Sequence, residues 1–161
     1  MEKQKNASFT EMPSEELSAT KRFPISFAIF ALARSHRGLA SKLLRDVDLF
    51  AGQEIMLLQL WDQNDQSQNS LAHTLRLDHS TVAKSVRRLE ESGLVTRRRS
   101  EEDGRVTIVS LTQAGRNLEA KVIEIWSELE HITTEDLSEE EKELLVTLSL
   151  KMAANIDTFI K

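Results

Sequence analysis

From Pro24 onward, apolar residues recur along PISFAIFALARSHRGLASKLLRDV at positions 29, 32, 39, 43 and at 30, 33, 40, 44. These are two adjacent stripes of helical period. One amphipathic helix needs a single stripe, so this one is expected to meet two surfaces, and Pro24 suits its first turn. A second helix is predicted over about 51–63, carrying Ile55, Met56, Leu58, Leu60 and Trp61. The polar run DQNDQSQN reads as turn. Two short helices follow, SLAHTLRL and HSTVAKSVRRLEES, with Asp78 placed to cap the second and Gly93 to stop it. The period then changes: LVTRRR and RVTIVSL are rich in β-branched residues and flank SEEDG, which predicts a hairpin. Two long helices, about 112–132 and 138–159, close the chain. Ser138 and Glu141 form a capping box at the start of the last, and Leu145, Leu148, Met152, Ile156 and Phe159 give its stripe.

Helix, helix, short turn, helix, hairpin is the order of a winged helix-turn-helix. The fold class expected is therefore mainly α with a small β-hairpin wing: a winged helix-turn-helix lobe joined to a helical dimerisation region. The first and last helices carry more apolar face than one lobe can bury, which predicts a homodimer.

Charge changes the picture next. The chain has 161 residues and a formal net charge of −5, which by itself argues against a nucleic-acid partner. Distribution argues the other way. Residues 76–99 hold seven basic and three acidic side chains, residues 113–161 five and eleven. On a helical wheel of about 100° per residue, Val82, Val86 and Leu89 share one side of HSTVAKSVRRLEES. The opposite arc holds Ser80, Thr81, Lys84, Arg87 and Arg88, and no carboxylate. Hydroxyls and cations together suit phosphates and base edges. The hairpin that follows is basic as well, so double-stranded DNA is the expected partner. His79, at the helix start, fits a phosphate contact.

Other function classes fare poorly. There is no cysteine, which removes thiol redox switching. The four histidines, 36, 73, 79 and 131, match no compact ligand motif, so no metal and no cofactor are expected. No phosphate-binding glycine loop and no nucleophile with a placed base are present, so no enzyme is expected. The start MEKQKNASFTEMPSEEL lacks the apolar stretch of a secretion signal, and no apolar run reaches membrane-spanning length. No membrane partner and a cytoplasmic location are expected.

The stretch STVAKSVRRLEESGLVTRRRSEEDGRVTIVSLTQAGR resembles the multiple-antibiotic-resistance regulator (MarR) family of bacterial transcription factors. Three matches carry the resemblance: Leu89-Glu90-Glu91-Ser92-Gly93-Leu94-Val95 after the recognition helix, Asp103-x-Arg105 in the wing, and Leu111-Thr112-x-Ala114-Gly115-Arg116 opening the next helix. Helix order agrees from about residue 24 to the C-terminus. The resemblance implies an obligate homodimer whose recognition helices enter successive major grooves of a near-palindromic operator, with wings in the flanking minor grooves. It makes Arg105 the wing-tip residue inserted in the minor groove and Asp103 the carboxylate that holds the wing's arginines in position, so that Arg97, Arg99, Asp103 and Arg105 are expected at the DNA. It also implies an effector pocket for small aromatic carboxylates or phenolics. His36 and Arg37 fall on the two stripes of the first helix; Arg37 would meet a carboxylate, with Ser26, Phe30 and Met56 as walls, although partners across the dimer would satisfy His36 and Arg37 equally. Trp61 and Trp126 read as core.

The domain reading is a polar tail over 1–20 and a single domain over 21–161. Within it, 21–47 and 112–161 form the helical dimerisation region and 48–111 the winged lobe. The functional expectation is a dimeric, ligand-released transcriptional regulator acting as a repressor; the alternative is a winged helix that binds, or is regulated by, a protein partner. Two departures from the family pattern stand out. Phe50 occupies a position where a helix-capping Thr is common, which leaves Asp48 to cap, and Arg76 stands where a Gly is usual, adding either a cation near DNA or turn strain.

Overall fold

The computed structural model describes residues 20–160, so the tail expected over 1–20 lies, apart from Thr20, outside the described residues. The elements are α1 (Pro24–Leu43), a 3-10 turn (Leu44–Val47), α2 (Gln53–Asp62), β1 (Gln66–Ser67), α3 (Gln68–Leu75), α4 (His79–Glu91), β2 (Val95–Arg99), β3 (Thr107–Leu111), α5 (Gln113–Asn117), α6 (Glu119–Thr134) and α7 (Glu139–Ile160). By compactness the chain divides into residues 1–38 and 39–161. In the first unit Ile25, Ile29, Phe30 and Leu32 are exposed, and the Arg34 guanidinium stands 6.0 Å from the centre of the Phe30 ring.

The core lies in the second unit. Met56, Leu57 and Leu60 of α2, Leu71 of α3, and Val82, Val86 and Leu89 of α4 have no accessible surface. Val122, Ile125 and Leu129 of α6 join them at spacings of three and four. Trp61 and Trp126 pack half-buried on this cluster, as expected of core residues; Trp61 Nε1 also donates to Gly115 O at 3.0 Å. The terminal helices behave oppositely. No residue of α7 is buried, and Leu148, Leu150, Ile156 and Phe159 are exposed, Phe159 to 91%. No helix among the described residues is long and apolar enough to cross a membrane.

The sheet has three strands in the order β1-β3-β2, all antiparallel. Val95 pairs with Leu111 and Arg99 with Thr107, which is the expected hairpin. The third strand was not expected. Gln66 and Ser67, read as turn, pair with Val109 and Ile108. Two residues are too few to show an alternation, and what pins them is side-chain chemistry. Buried Gln66 donates its Nε2 to Gln59 O at 3.1 Å, which also accepts from Gln63 N, and to Gln63 O at 2.6 Å, just past the end of α2.

The start of α2 also differs from expectation. Asp48 does not cap it: Asp48 closes the 3-10 turn in a left-handed conformation (φ 54°) with Leu49 N donating back to Leu44 O at 3.1 Å. The helix starts at Gly52 without a side-chain cap, and Gln53 and Glu54 accept from Phe50 N at 2.8 Å and Gly52 N at 2.6 Å through their side chains, bracing the turn before it. At α7 the predicted capping box is present, with Ser138 N donating to Glu141 Oε2 at 2.8 Å and Glu141 N to Ser138 Oγ at 3.2 Å.

Candidate nucleic-acid interface

Helix α4 is held at both ends by local chemistry that the sequence announces. Asp78, in extended conformation, accepts at its carboxylate from Thr81 N at 2.8 Å. Gly93 takes φ 71°, where Gly93 N donates to Glu90 O and Leu94 N to Leu89 O, both at 2.9 Å. These are the paired closing bonds of a left-handed helix stop. With the ends fixed, Val82, Val86 and Leu89 point into the core and His79, Ser80, Thr81, Lys84, Arg87 and Arg88 are all exposed on the outside. Two hydroxyls, an imidazole and three cations thus share one solvent face of a helix whose other face is dry.

Preceding α4, the turn from α3 ends at Arg76 with φ 52°. Arg76 N donates to His73 O at 3.3 Å and Leu77 N to Ala72 O at 3.0 Å, the same stop geometry as at Gly93. The departure at Arg76 therefore has a definite meaning. A side chain sits where glycine is favoured, and its guanidinium forms an ion pair with Asp157 of α7.

The wing adds further cations and ties some of them down. Glu90 receives Arg97 at both carboxylate oxygens, from Nε at 2.8 Å, Nη2 at 2.5 Å and the backbone N at 3.1 Å. The side-chain hydrogen bonds from Arg97 hold the Glu90 carboxyl below its usual range. Glu91 lies 3.5 Å from Arg87 Nε, one turn along the helix. Arg98 stands 3.9 Å from Asp65. Arg99 Nη1 donates to Arg105 O at 3.2 Å and to Thr107 Oγ1 at 3.3 Å, bracing the far end of the hairpin.

Asp103 holds Arg105 by its backbone rather than by its guanidinium. Among the described residues it forms no ion pair with an arginine. Its Oδ1 accepts from Arg105 N at 2.9 Å, and its carbonyl accepts from Val106 N at 2.9 Å. It shapes the tip through the backbone, because a carboxylate two residues before an amide closes a local turn without ordering a long side chain. Arg105 is exposed at that tip and lines a cavity of about 80 Å³ with Gln68, Asn69, Val106 and Thr107.

The residues expected at an effector pocket fall in both compact units. Ser26, Phe30 and Arg37 are exposed and His36 is half-buried in the first unit. Met56 has no accessible surface, being packed in the core of the second.

A basic, two-sided helix after a tight turn, followed by a braced hairpin, defines a winged helix-turn-helix of the DNA-binding kind. The family described as transcriptional regulator SarA/Rot matches residues 38–122. The organic hydroperoxide resistance transcriptional regulator of Bacillus subtilis (strain 168) is 33% identical over 101 residues, covering 63% of this chain and 69% of that protein. A MarR transcriptional regulator from Methanosarcina mazei Go1 superposes with a TM-score of 0.74 at 27% identity, over 83% of this chain and 97% of that one. The Staphylococcus aureus MepR–DNA complex superposes with a TM-score of 0.76 at 27% identity, over 81% and 96%. The chain belongs to the MarR-type winged-helix transcriptional regulators, with the SarA/Rot family spanning its central lobe. It is a DNA-binding regulator of transcription and not an enzyme.

Proposed function

We propose that this regulator acts as a homodimeric repressor whose two α4 helices read successive major grooves of a near-palindromic operator. The observation that carries the reading is the division of α4: Val82, Val86 and Leu89 have no accessible surface while Ser80, Thr81, Lys84, Arg87 and Arg88 are exposed. The exposed apolar faces of α1 and α7 support a second copy as their cover. The wing places Arg105 in the flanking minor groove, where weaker hydration favours arginine over lysine. Within the same reading, a small aromatic carboxylate or phenolic releases the protein from DNA. Its basis is the position of His36 and Arg37 on the stripes of α1.

Fluorescence anisotropy on the duplex upstream of the protein's own gene, across a salt series, tests the reading. Arg105→Ala is expected to weaken binding by about 1–3 kcal/mol and to lower the salt slope by about one per chain. Parent-like binding of that variant at every salt concentration would remove the wing from the interface. An effector is expected to weaken the parent in the same assay, and a panel of phenolics and aromatic acids with no effect would remove that part.

A further inference from the structure

The first turn of α4 shows DNA two hydroxyls whose protons are already in use. Ser80 Oγ donates to Asp78 Oδ1 at 2.6 Å, and Thr81 Oγ1 donates to Asp78 Oδ2 at 2.5 Å. Capping the helix requires only the bond from Thr81 N to Asp78 Oδ1, so both hydroxyl bonds are additional to it. A hydroxyl has one proton and two lone pairs. With the proton turned toward a carboxylate, each residue offers only an acceptor outward. Such charge-assisted bonds are about twice as strong as neutral ones, so a neutral base edge does not readily turn the hydroxyls round. Asp78 also stays ionised. The hydrogen bond from Ser80, and then those from Thr81, hold its carboxyl well below the usual carboxylate range.

Phosphate oxygens only accept hydrogen bonds. Two outward acceptors beside a carboxylate are therefore a poor phosphate anchor. The groups that donate in a major groove are the exocyclic amino groups, adenine N6 and cytosine N4. We propose that Ser80 and Thr81 recognise exocyclic amino groups of bases, with Asp78 as the positioning residue that sets their polarity. Phosphate contact then falls to Lys84, Arg87 and Arg88, further along the exposed face. The proposal rests on the DNA-reading role given to α4 above, and it narrows what that helix can read.

The test starts from duplexes that the parent selects out of a randomised library. Each adenine in the selected site is replaced in turn by purine and each cytosine by 2-pyrimidinone, which deletes only the amino group. At one or two positions per half-site the parent is expected to lose about tenfold in affinity, the worth of one hydrogen bond to a site left unpaired. Ser80→Ala or Thr81→Ala should lose nothing further at those positions. Asp78→Asn keeps the cap, because asparagine caps about as well as aspartate, so the variant should fold, melting below the parent only by what the ionised carboxylate contributes at neutral pH. Its Oδ1 keeps the bonds from Thr81 N and Ser80 Oγ, while the amide nitrogen in place of Oδ2 donates to Thr81 Oγ1, turns that proton outward and should abolish the penalty only at the position Thr81 reads. A parent that selects no duplex would sink the DNA-reading role itself. A parent that binds but tolerates every amino deletion within about twofold overturns the polarity argument alone, as does a penalty that persists in Ser80→Ala, Thr81→Ala and Asp78→Asn.

Discussion

Gly115→Ala tests how the wing is fastened to the helices that follow it. Gly115 lies in the first turn after β3, where Thr112 caps α5 by accepting from Gly115 N at 3.0 Å while its own hydroxyl donates to Gly93 O at 2.7 Å. A Cβ at Gly115 would stand 2.1 Å from Leu94 O, 3.1 Å from Leu94 C and 3.2 Å from Leu111 Cδ2. The nearest of these is backbone, which cannot swing aside as a side chain can. Leu94 O accepts from Thr112 N at 3.0 Å, and Gly115 O accepts from Trp61 Nε1 at 3.0 Å. Relieving the clash therefore separates α5 from the start of β2 and strains both bonds. Overpacking of a tight site costs about 1–3 kcal/mol, and each weakened hydrogen bond about 1 kcal/mol. The expected loss is about 2–5 kcal/mol. Urea unfolding at one fixed protein concentration reads it, because oligomer stability depends on concentration. Gly104→Ala is the control, since its Cβ would meet nothing within 4 Å and its φ is not positive; it should fall within about 0.5 kcal/mol of the parent. If Gly115→Ala did the same, the contact between wing base and α5 would be loose, and the packing described here would be wrong.

Arg76→Gly should be more stable than Arg76→Ala by about 1 kcal/mol, because both lose the pair with Asp157 but only glycine relieves the left-handed backbone; equal urea midpoints would mean that φ 52° carries no strain. Val86→Ala should destabilise by about 0.5–3 kcal/mol with operator affinity changed only through folding, whereas Lys84→Ala should weaken operator binding and leave the midpoint in place. The reverse pattern would mean that α4 is rotated. Asp78 and Glu90 both lose their protons more readily folded than unfolded, so their stabilisation is complete above the unfolded carboxyl range of about 4 and drains away as pH falls toward the lower folded values. Stability measured from pH 6 down to 3 should therefore fall less steeply in Asp78→Asn than in the parent; identical slopes would deny the cap its pH dependence.

What the sequence makes legible here is what short-range physics decides. Asp78 and Gly93 bound α4 because a cap and a left-handed stop each act within four residues. Val82, Val86 and Leu89 mark its inner face because helical period alone fixes their side. β1 escaped because its two residues are strand only through partners at Val109 and Ile108, more than forty positions away. Gln66 escaped for another reason: its amide nitrogen serves nearby carbonyls, Gln59 O and Gln63 O, a role that residue type alone does not signal. Asp48 was a reasonable capping residue by type. The closing bond from Leu49 N to Leu44 O uses it in the preceding turn, and α2 starts at Gly52 with no side-chain cap. Asp103, expected to hold the wing's arginines in position, holds Arg105 through its backbone amide, a contact within two residues.

The same contacts explain how an acidic chain keeps a basic reading face without a uniformly cationic surface. Arg76, Arg87, Arg97 and Arg98 each face a carboxylate, from Asp157, Glu91, Glu90 and Asp65 respectively. Among the described residues Lys84, Arg88, Arg99 and Arg105 form no ion pair. Exposed pairs of this kind stabilise a fold by only about 0–1 kcal/mol, so stability is a poor reason for four of them. Geometry is a better one. The grip of Glu90 on Arg97 ties the end of α4 to β2 and so fixes the angle between helix and wing, while Asp103 and Arg99 shape the tip through backbone bonds. Arg76, Arg97 and Arg98, whose carboxylates stand on other elements, act as struts whose charge is largely cancelled at long range. In the proposed reading Lys84, Arg87, Arg88 and Arg105 then meet phosphates and the minor groove at positions that the struts define. A net charge of −5 disfavours indiscriminate attraction to DNA, so binding depends on the few places where these cations and the acceptor face of α4 coincide.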